Sequence, residues 1–338
     1  MTAHSSPVGV ARMTPGSYVG SAVALSIVAV LGVVPVIAGL NLVNDLTQLF
    51  ILMVMGMMWN LLAGYSGLVS IGLQAFVGLG GYSLLAFADH DSIEPFVALV
   101  LGALFCGAAA LVTSLVTFRL RGGYFAIGTW VVAEIFSLVT AQIPTLGGGS
   151  GTALMSLSNF APSTRLDDTY WAALCCAVAG FAGVYFLLRS RAGLALRAQR
   201  DDEEGARSLG ARSVVAKRVA YGVAGLGCGA AGGLMLLSNL DIVPTSAYSV
   251  NLSAYMIFIV LIGGLGTIEG PVIGAIVFWI VQLELASYGA YYLIGLGAMA
   301  VCMTLLLPGG VAGSLRRVTR YDPFPVGYRL RSTVSPEG

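Results

Sequence analysis

Apolar residues run along this chain in long blocks, without the period-two or one-sided 3.6-residue alternation of a strand or helix that faces water on one side. Ten blocks come near the length of about 20 residues that a helix needs to cross roughly 30 Å of hydrocarbon. They cover approximately 18–38, 46–63, 68–88, 95–118, 123–142, 170–188, 214–238, 250–266, 271–287 and 289–307. The pattern predicts an all-α polytopic membrane protein with about ten transmembrane helices. Edges are least defined between 250 and 287, where Gly263, Gly264, Gly266, Gly270 and Pro271 interrupt the apolar run.

Composition agrees with the pattern. With 338 residues, 57% hydrophobic and 10% charged, and a mean hydropathy of +0.88, the chain lacks the polar side chains that would cover a water-soluble globule. Charge then orients it. If the ten segments alternate direction, loops on one side hold Arg12, Arg119 and Arg121, Arg189 through Arg218, and Arg316 through Arg331, and the opposite loops hold only Arg165 among the basic residues. Those opposite loops carry Asp45, Asp89, Asp91, Glu94, Asp167, Asp168 and Asp241. Basic residues in short loops mark the cytoplasmic face, so both termini are expected to be cytoplasmic, with an even number of spans. The organisation that follows is a cytoplasmic tail at 1–17, a transmembrane domain at 18–307 with a long cytoplasmic loop at 189–217, and a cytoplasmic tail at 308–338. The first apolar run follows Arg12 but has no A-x-A cleavage pattern behind it, and is read as a retained helix.

Several function classes drop out. No G-x-x-x-x-G-K-[ST] is present and the only lysine is Lys217, so the chain has no P-loop for ATP. No metal-ligand spacing of His, Cys and carboxylates occurs, and the five cysteines (Cys106, Cys175, Cys176, Cys228, Cys302) lie inside apolar runs as packing residues. No basic patch interleaved with aromatics suggests nucleic acid. Neither a cofactor nor an enzymatic role is expected of this chain.

Information concentrates in one polar loop and three glycine-rich passages. Loop 189–217 reads RSRAGLALRAQRDDEEGARSLGARSVVAK. Asp201 is placed to cap a short helix whose third position is Glu204, with Asp202 and Glu203 in its first turn and Gly210 as a left-handed end. On residues alone two readings stay open: a compact knob that docks on a partner, or a solvated loop beside the membrane. The glycine passages, Gly64 to Gly81 and Gly263 to Gly274, mix Gly with Ser, Gln and Pro, which points to broken or re-entrant segments facing a pathway. A third, Gly147 to Gly151, either presents N–H groups to a carboxylate or is a turn. Polar residues at membrane depth, Asn60, Gln74, Glu134, Gln142, Asn251, Glu269 and Glu284, are expected to avoid lipid. Glu134 suits an inter-helix or pathway role, and Glu269 a short cytoplasmic turn.

Glu204-Gly205-Ala206 followed by Gly210 resembles the E-A-A-x-x-x-G loop through which permeases of ABC importers touch their ATPase, although Gly205 stands where alanine is usual and the Ile-x-Leu-Pro tail is missing. The flanking sequence is more similar to permeases of the branched-chain amino-acid ABC importer family, of LivM/LivH type, with Arg197, Glu203 or Glu204, Ala206, Leu209 and Gly210 at matching positions. Four further stretches carry the resemblance: GYSGLVSIGLQAFVGLGGYSLLAF from Gly64, RLRGGYFAIGTWVVAEI from Arg119, GGLGTIEGPVIGAI from Gly263, and LPGGVAG near the C-terminus.

The resemblance implies a membrane permease subunit that forms a pathway for a small polar solute, first of all branched-chain amino acids, with urea, short amides or other amino acids as alternatives. It implies a second permease subunit, two ATP-binding subunits that hold the ATP and Mg, an extracytoplasmic solute-binding protein and a bacterial cytoplasmic membrane. The coupling residues would be Arg197, Asp201, Asp202, Glu203, Glu204, Gly205, Ala206, Leu209 and Gly210. Pathway candidates are Ser70, Gln74, Phe76, Gly78, Tyr82, Glu134, Gly264, Gly266 and Pro271, in a five-plus-five pseudo-repeat. A secondary transporter or channel driven by an ion gradient is the rival from another class.

Overall fold

A computed structural model describes residues 9–11, 15–157, 161–201, 213–285, 289, 291–307, 309–319 and 329–331. Thirteen α-helices are described: α1 Pro15–Ile37, α2 Leu40–Asn60, α3 Gln74–Leu85, α4 Pro95–Thr117, α5 Gly123–Ala141, α6 Pro162–Arg189, α7 Arg191–Asp201, α8 Ser213–Asn239, α9 Pro244–Ala247, α10 Val250–Gly263, α11 Gly270–Leu285, α12 Tyr291–Leu306 and α13 Gly310–Thr319. Seven candidate spans are long and apolar enough to cross a membrane: α1, α2 with its extension to Tyr65, α4, α5, α6, α8, and the pair α9 with α10. The predicted runs at 68–88, 271–287 and 289–307 fall on the shorter helices α3, α11 and α12. The chain is a polytopic α-helical membrane protein.

Local chemistry sets several boundaries. Glu94 accepts the N–H of Val97 at 3.0 Å and Pro95 opens α4, a carboxylate cap followed by a residue with no N–H to orphan. Ser249 accepts from the N–H of Asn251 at the start of α10. α6 begins at Pro162, not at the predicted 170, because its polar first turns continue the helix past the apolar run. Residues 191–201, read from sequence as part of a loop, form α7, with Asp201 as its last residue. Asp202, Glu203, Glu204, Gly205, Ala206, Leu209 and Gly210 lie outside the described residues.

α2 and α8 form the buried centre, and α1 lies at the periphery, touching the rest through the Tyr170 hydroxyl bonded to the Leu31 carbonyl at 2.7 Å. The centre is held by backbone proximity. A Cβ at Gly80 of α3 would run into the Gly229 carbonyl of α8, and one at Gly232 of α8 would run into the Val77 carbonyl of α3. Helices in lipid gain little from hydrophobicity against each other, so this close approach supplies dispersion contact instead. Phe76, Phe118, Phe125 and Tyr221 fill the neighbouring space edge to face, with ring centroids 5.4 to 6.4 Å apart where Tyr221 meets the other three.

Two short antiparallel pairings join distant parts of the chain. β1 Gly9–Ala11 pairs with β4 Arg329–Arg331, which brings the two tails together, and β2 Thr152–Ala153 pairs with β3 Asp241–Ile242. The second pairing closes one end of the bundle, where the Asp89 carboxylate also accepts the N–H groups of Met155 and Ser156, each at 2.9 Å. Gly147 to Gly151 sits beside it as turn structure, with Gly147, Gly148 and Gly151 at positive φ.

Candidate coupling and translocation site

At the end of the bundle that carries the basic loops, four elements meet. α2 does not stop at Asn60 but continues as a π-helical turn, Leu61–Tyr65, a widened turn often found at functional positions. Asn60 and Gly64, four residues apart, share one face of it. The Asn60 amide donates to the Thr267 carbonyl at 2.8 Å and accepts the Gly266 N–H at 2.9 Å. Gly64 lies so near that a Cβ on it would meet both the Asn60 amide oxygen and the Gly266 backbone. The facing turn, 264–269, needs glycine for its own geometry as well, with φ of +126° at Gly264 and +74° at Gly266.

α7 joins this junction through Arg200, whose guanidinium donates to the Gly64 carbonyl and passes beside Gly266. Arg197, one turn earlier, donates to the Leu188 carbonyl at 2.9 Å and so satisfies an end of α6. On the other side of the turn, Glu269 receives Arg316 of α13 in a two-pronged bond, 2.7 Å from Nε and 2.8 Å from Nη2. Both side chains are mostly buried, at 15% and 28% exposure, where such a forked pair is stronger than a surface one. The hydroxyl of Tyr65 is buried nearby with no partner among the described residues. The helix leading into residues 202–212 is therefore hydrogen-bonded to the π-turn, and the π-turn to the α10–α11 connection.

Residues 67–73 are non-helical and turn back against α2. The indole of Trp59 donates to the Ser70 carbonyl at 2.8 Å, and the Gly72 N–H donates to Ser70 Oγ at 3.2 Å. A Cβ on Gly72 would collide with the Thr129 backbone of α5, so α3 starts only at Gln74. This bears out a broken segment at Gly64 to Gly81. At Gly263 to Gly274 the break is a tight hairpin: α10 and α11 pack antiparallel, with Gly263 against Gly270 and Gly274 against Ile259, and Pro271 buried in the first turn of α11.

α3 carries Gln74, Gly78 and Tyr82 on one face at four-residue spacing. Gln74 Oε1 accepts from Ser253 of α10, the ring of Tyr248 lies on Gly78, and Tyr82 stacks on Tyr248 with centroids 6.1 Å apart and planes 7° apart. Tyr248 is held from α5 by Thr140 at 2.9 Å. All of these side chains are buried, and the Gln74 amide nitrogen and Tyr82 hydroxyl have no partner among the described residues. Phe76 points into the aromatic packing around Tyr221. Glu134 is apart from this group, exposed on the outward face of α5.

Sequence reading missed Arg200 as a contact, and also Tyr248, Ser253 and Arg316. Asn60 four residues before Gly64 was a readable signal, because that spacing puts an amide beside a gap on one helix face. Tyr248 and Ser253 gave none, because they meet α3 across a separation of more than 150 positions.

No solved structure matches the chain at a significant level. The high-affinity branched-chain amino acid transport system permease protein LivM of Escherichia coli K12 is 27% identical over 315 residues, covering 86% of this chain and 73% of that protein. Its counterpart from Salmonella typhimurium is 26% identical over 295 residues, covering 80% and 69%. The model of the family described as the permease component of branched-chain amino acid transport systems matches residues 41–311, from the start of α2 to α13, and the chain belongs to that family.

Proposed function

We infer that this chain is one of two permease subunits of an ABC importer for branched-chain amino acids. The observation that carries the reading is the bond from Arg200 to the Gly64 carbonyl, which ties the helix entering residues 202–212 to the π-turn and the α10–α11 connection. A force applied to residues 202–212 by an ATP-binding subunit would reach the broken segment at 64–81 through these hydrogen bonds. The coupling residues are Arg197, Asp201, Asp202, Glu203, Glu204, Gly205, Ala206, Leu209 and Gly210, with Arg200 as the positioning residue behind them. The ATP and its Mg belong to two partner ATPases, and the chain itself is not an enzyme.

The pathway runs beside the α3 face of Gln74, Gly78 and Tyr82, with Ser70 behind it and Gly264, Gly266 and Pro271 at its basic end. In support, two buried donors there stand without partners among the described residues, the kind of group a polar solute would satisfy once the Tyr82–Tyr248 stack opened. An extracytoplasmic binding protein delivers the solute at the end closed by the β2–β3 pairing. Ten spans arranged as five plus five, with both termini cytoplasmic in a bacterial cytoplasmic membrane, fit the charge sorting and the β1–β4 pairing of the tails.

Uptake of labelled leucine into vesicles containing the complete complex tests this. ATP-dependent uptake is expected to persist with an ionophore present and to disappear on Glu204→Lys or Gly210→Trp. Uptake that follows the ion gradient and ignores ATP supports a secondary transporter instead.

A further inference from the structure

Between α8 and α10 the chain runs over α3 as a strap, residues 240–249, which holds β3, the four-residue helix α9 and Tyr248. Two glycines of α3, three residues apart, form its bed. A Cβ on Gly81 would meet the side chain of Ile242, and one on Gly78 would run into the ring of Tyr248. The first residue of the strap, Leu240, has φ of +66°, a left-handed conformation that a leucine keeps only where its surroundings hold it there. They do so at the end of the bundle closed by β2 and β3, where the Leu240 carbonyl accepts the Leu154 N–H at 2.7 Å. The other end of the strap is held by the hydrogen bond between Tyr248 and Thr140 of α5.

The rings packed around Phe76 and Tyr221 meet at 53° to 85°, whereas Tyr248 lies parallel to Tyr82, 7° from coplanar. Its ring fills a flat slot bounded by the Tyr82 ring, by bare α3 backbone at Gly78 and by the Thr140 hydroxyl. One turn from Gly78 in either direction stand the Tyr82 hydroxyl and the Gln74 amide nitrogen, both without a partner among the described residues, on side chains 2% and 0% exposed. A permanently packed core pairs such groups. Helices of this chain enclose them, so a second subunit does not reach them. Apolar walls with a few polar groups at the margin make a site for a small molecule, and the occupant of this one is a side chain carried on a strap.

We propose that the slot is the subsite for the apolar side chain of the transported amino acid, and that Tyr248 is a plug that keeps its place until the strap lifts. This rests on the importer reading and deepens it: the slot takes side chains no wider than one ring, and glycine, which has none, leaves it empty.

Nanodiscs holding the complete complex without nucleotide test it, with the reaction of a Tyr82→Cys thiol with a charged methanethiosulfonate as the readout and the complex lacking that thiol as the background, since Cys175 and Cys302 are exposed. Adding Tyr248→Ala is expected to speed the reaction at least tenfold. Thr140→Val, which keeps the bulk of the side chain and removes only the bond to the plug, should speed it at least threefold, and it carries the test should Tyr248→Ala fail to assemble. In either background saturating leucine should slow the reaction at least fivefold, and glycine should not. Adding Gly78→Val to Tyr248→Ala fills the vacated slot and should abolish the protection by leucine. The proposal is overturned if the thiol in assembled variants stays as unreactive as with the plug in place, if leucine protects no better than glycine, or if protection survives Gly78→Val. A parent complex whose leucine uptake ignores ATP defeats the importer reading instead, and the thiol reactions, read without nucleotide, stand apart from that result.

Discussion

Asn60 shows how one side chain can hold a junction that no apolar residue could. Its amide uses donor and acceptor together on a turn whose two glycines occupy left-handed backbone. Asn60→Leu keeps similar bulk but leaves the Gly266 N–H and the Thr267 carbonyl unpaired, and an unsatisfied buried group costs about 1–3 kcal/mol. The variant is expected to unfold at clearly lower temperature in detergent, whereas an exposed apolar change such as Val112→Leu should not. Equal melting temperatures would mean that water replaces the amide. Gly232 is the apolar counterpart. Gly232→Val forces α3 and α8 apart where the Val77 carbonyl touches the glycine, an overpacking of about 1–3 kcal/mol or more. Size-exclusion chromatography of the solubilised protein should show loss of the monodisperse species.

The forked bond between Glu269 and Arg316 makes its prediction at the scale of elements, because it fastens α13 to the α10–α11 connection. Glu269→Gln should destabilise the protein by about 1–3 kcal/mol, since the mostly buried forked ion pair loses its negative member. The exchanged pair, Glu269→Arg with Arg316→Glu, should recover part of the loss in a double-mutant cycle; no recovery would mean that the two residues act separately. The elements themselves were largely legible. Glu94 with Pro95, the glycines before α5, and uninterrupted apolar runs place α4, α5 and α8 within a residue or two of the observed bounds. The start of α3 at Gln74 was not: Ser70, Gln74 and the glycines marked 64–81 as broken, but only the third dimension shows Gly72 crossing the α5 backbone. α7 was missed for another reason: Arg191–Asp201 is too polar to read as a span, although its Leu and Ala positions suit a surface helix. Of the candidate site, the glycine turns and Gln74 were visible as composition. The Arg200 and Tyr248 contacts were not, because they depend on pairings between segments far apart in the chain.

For the whole molecule, sixteen of seventeen basic residues and the pairing of the two tails both argue for a single sidedness. A periplasmic phosphatase reporter fused after Asp91 should be active, and one fused after Arg121 or Arg331 inactive; activity after Arg331 would break the even span count. Within that frame the central claim is mechanical. α7 is bonded to the π-turn and the π-turn to the α10–α11 hairpin, a run of contacts through which the proposed ATPase contact at 202–212 would act on the proposed pathway. Arg200→Ala in the complete complex reconstituted in proteoliposomes tests that claim most directly, by reading leucine accumulation and nucleotide hydrolysis together. Accumulation should fall at least tenfold while hydrolysis by the partner ATPases continues. Accumulation equal to the parent would contradict it.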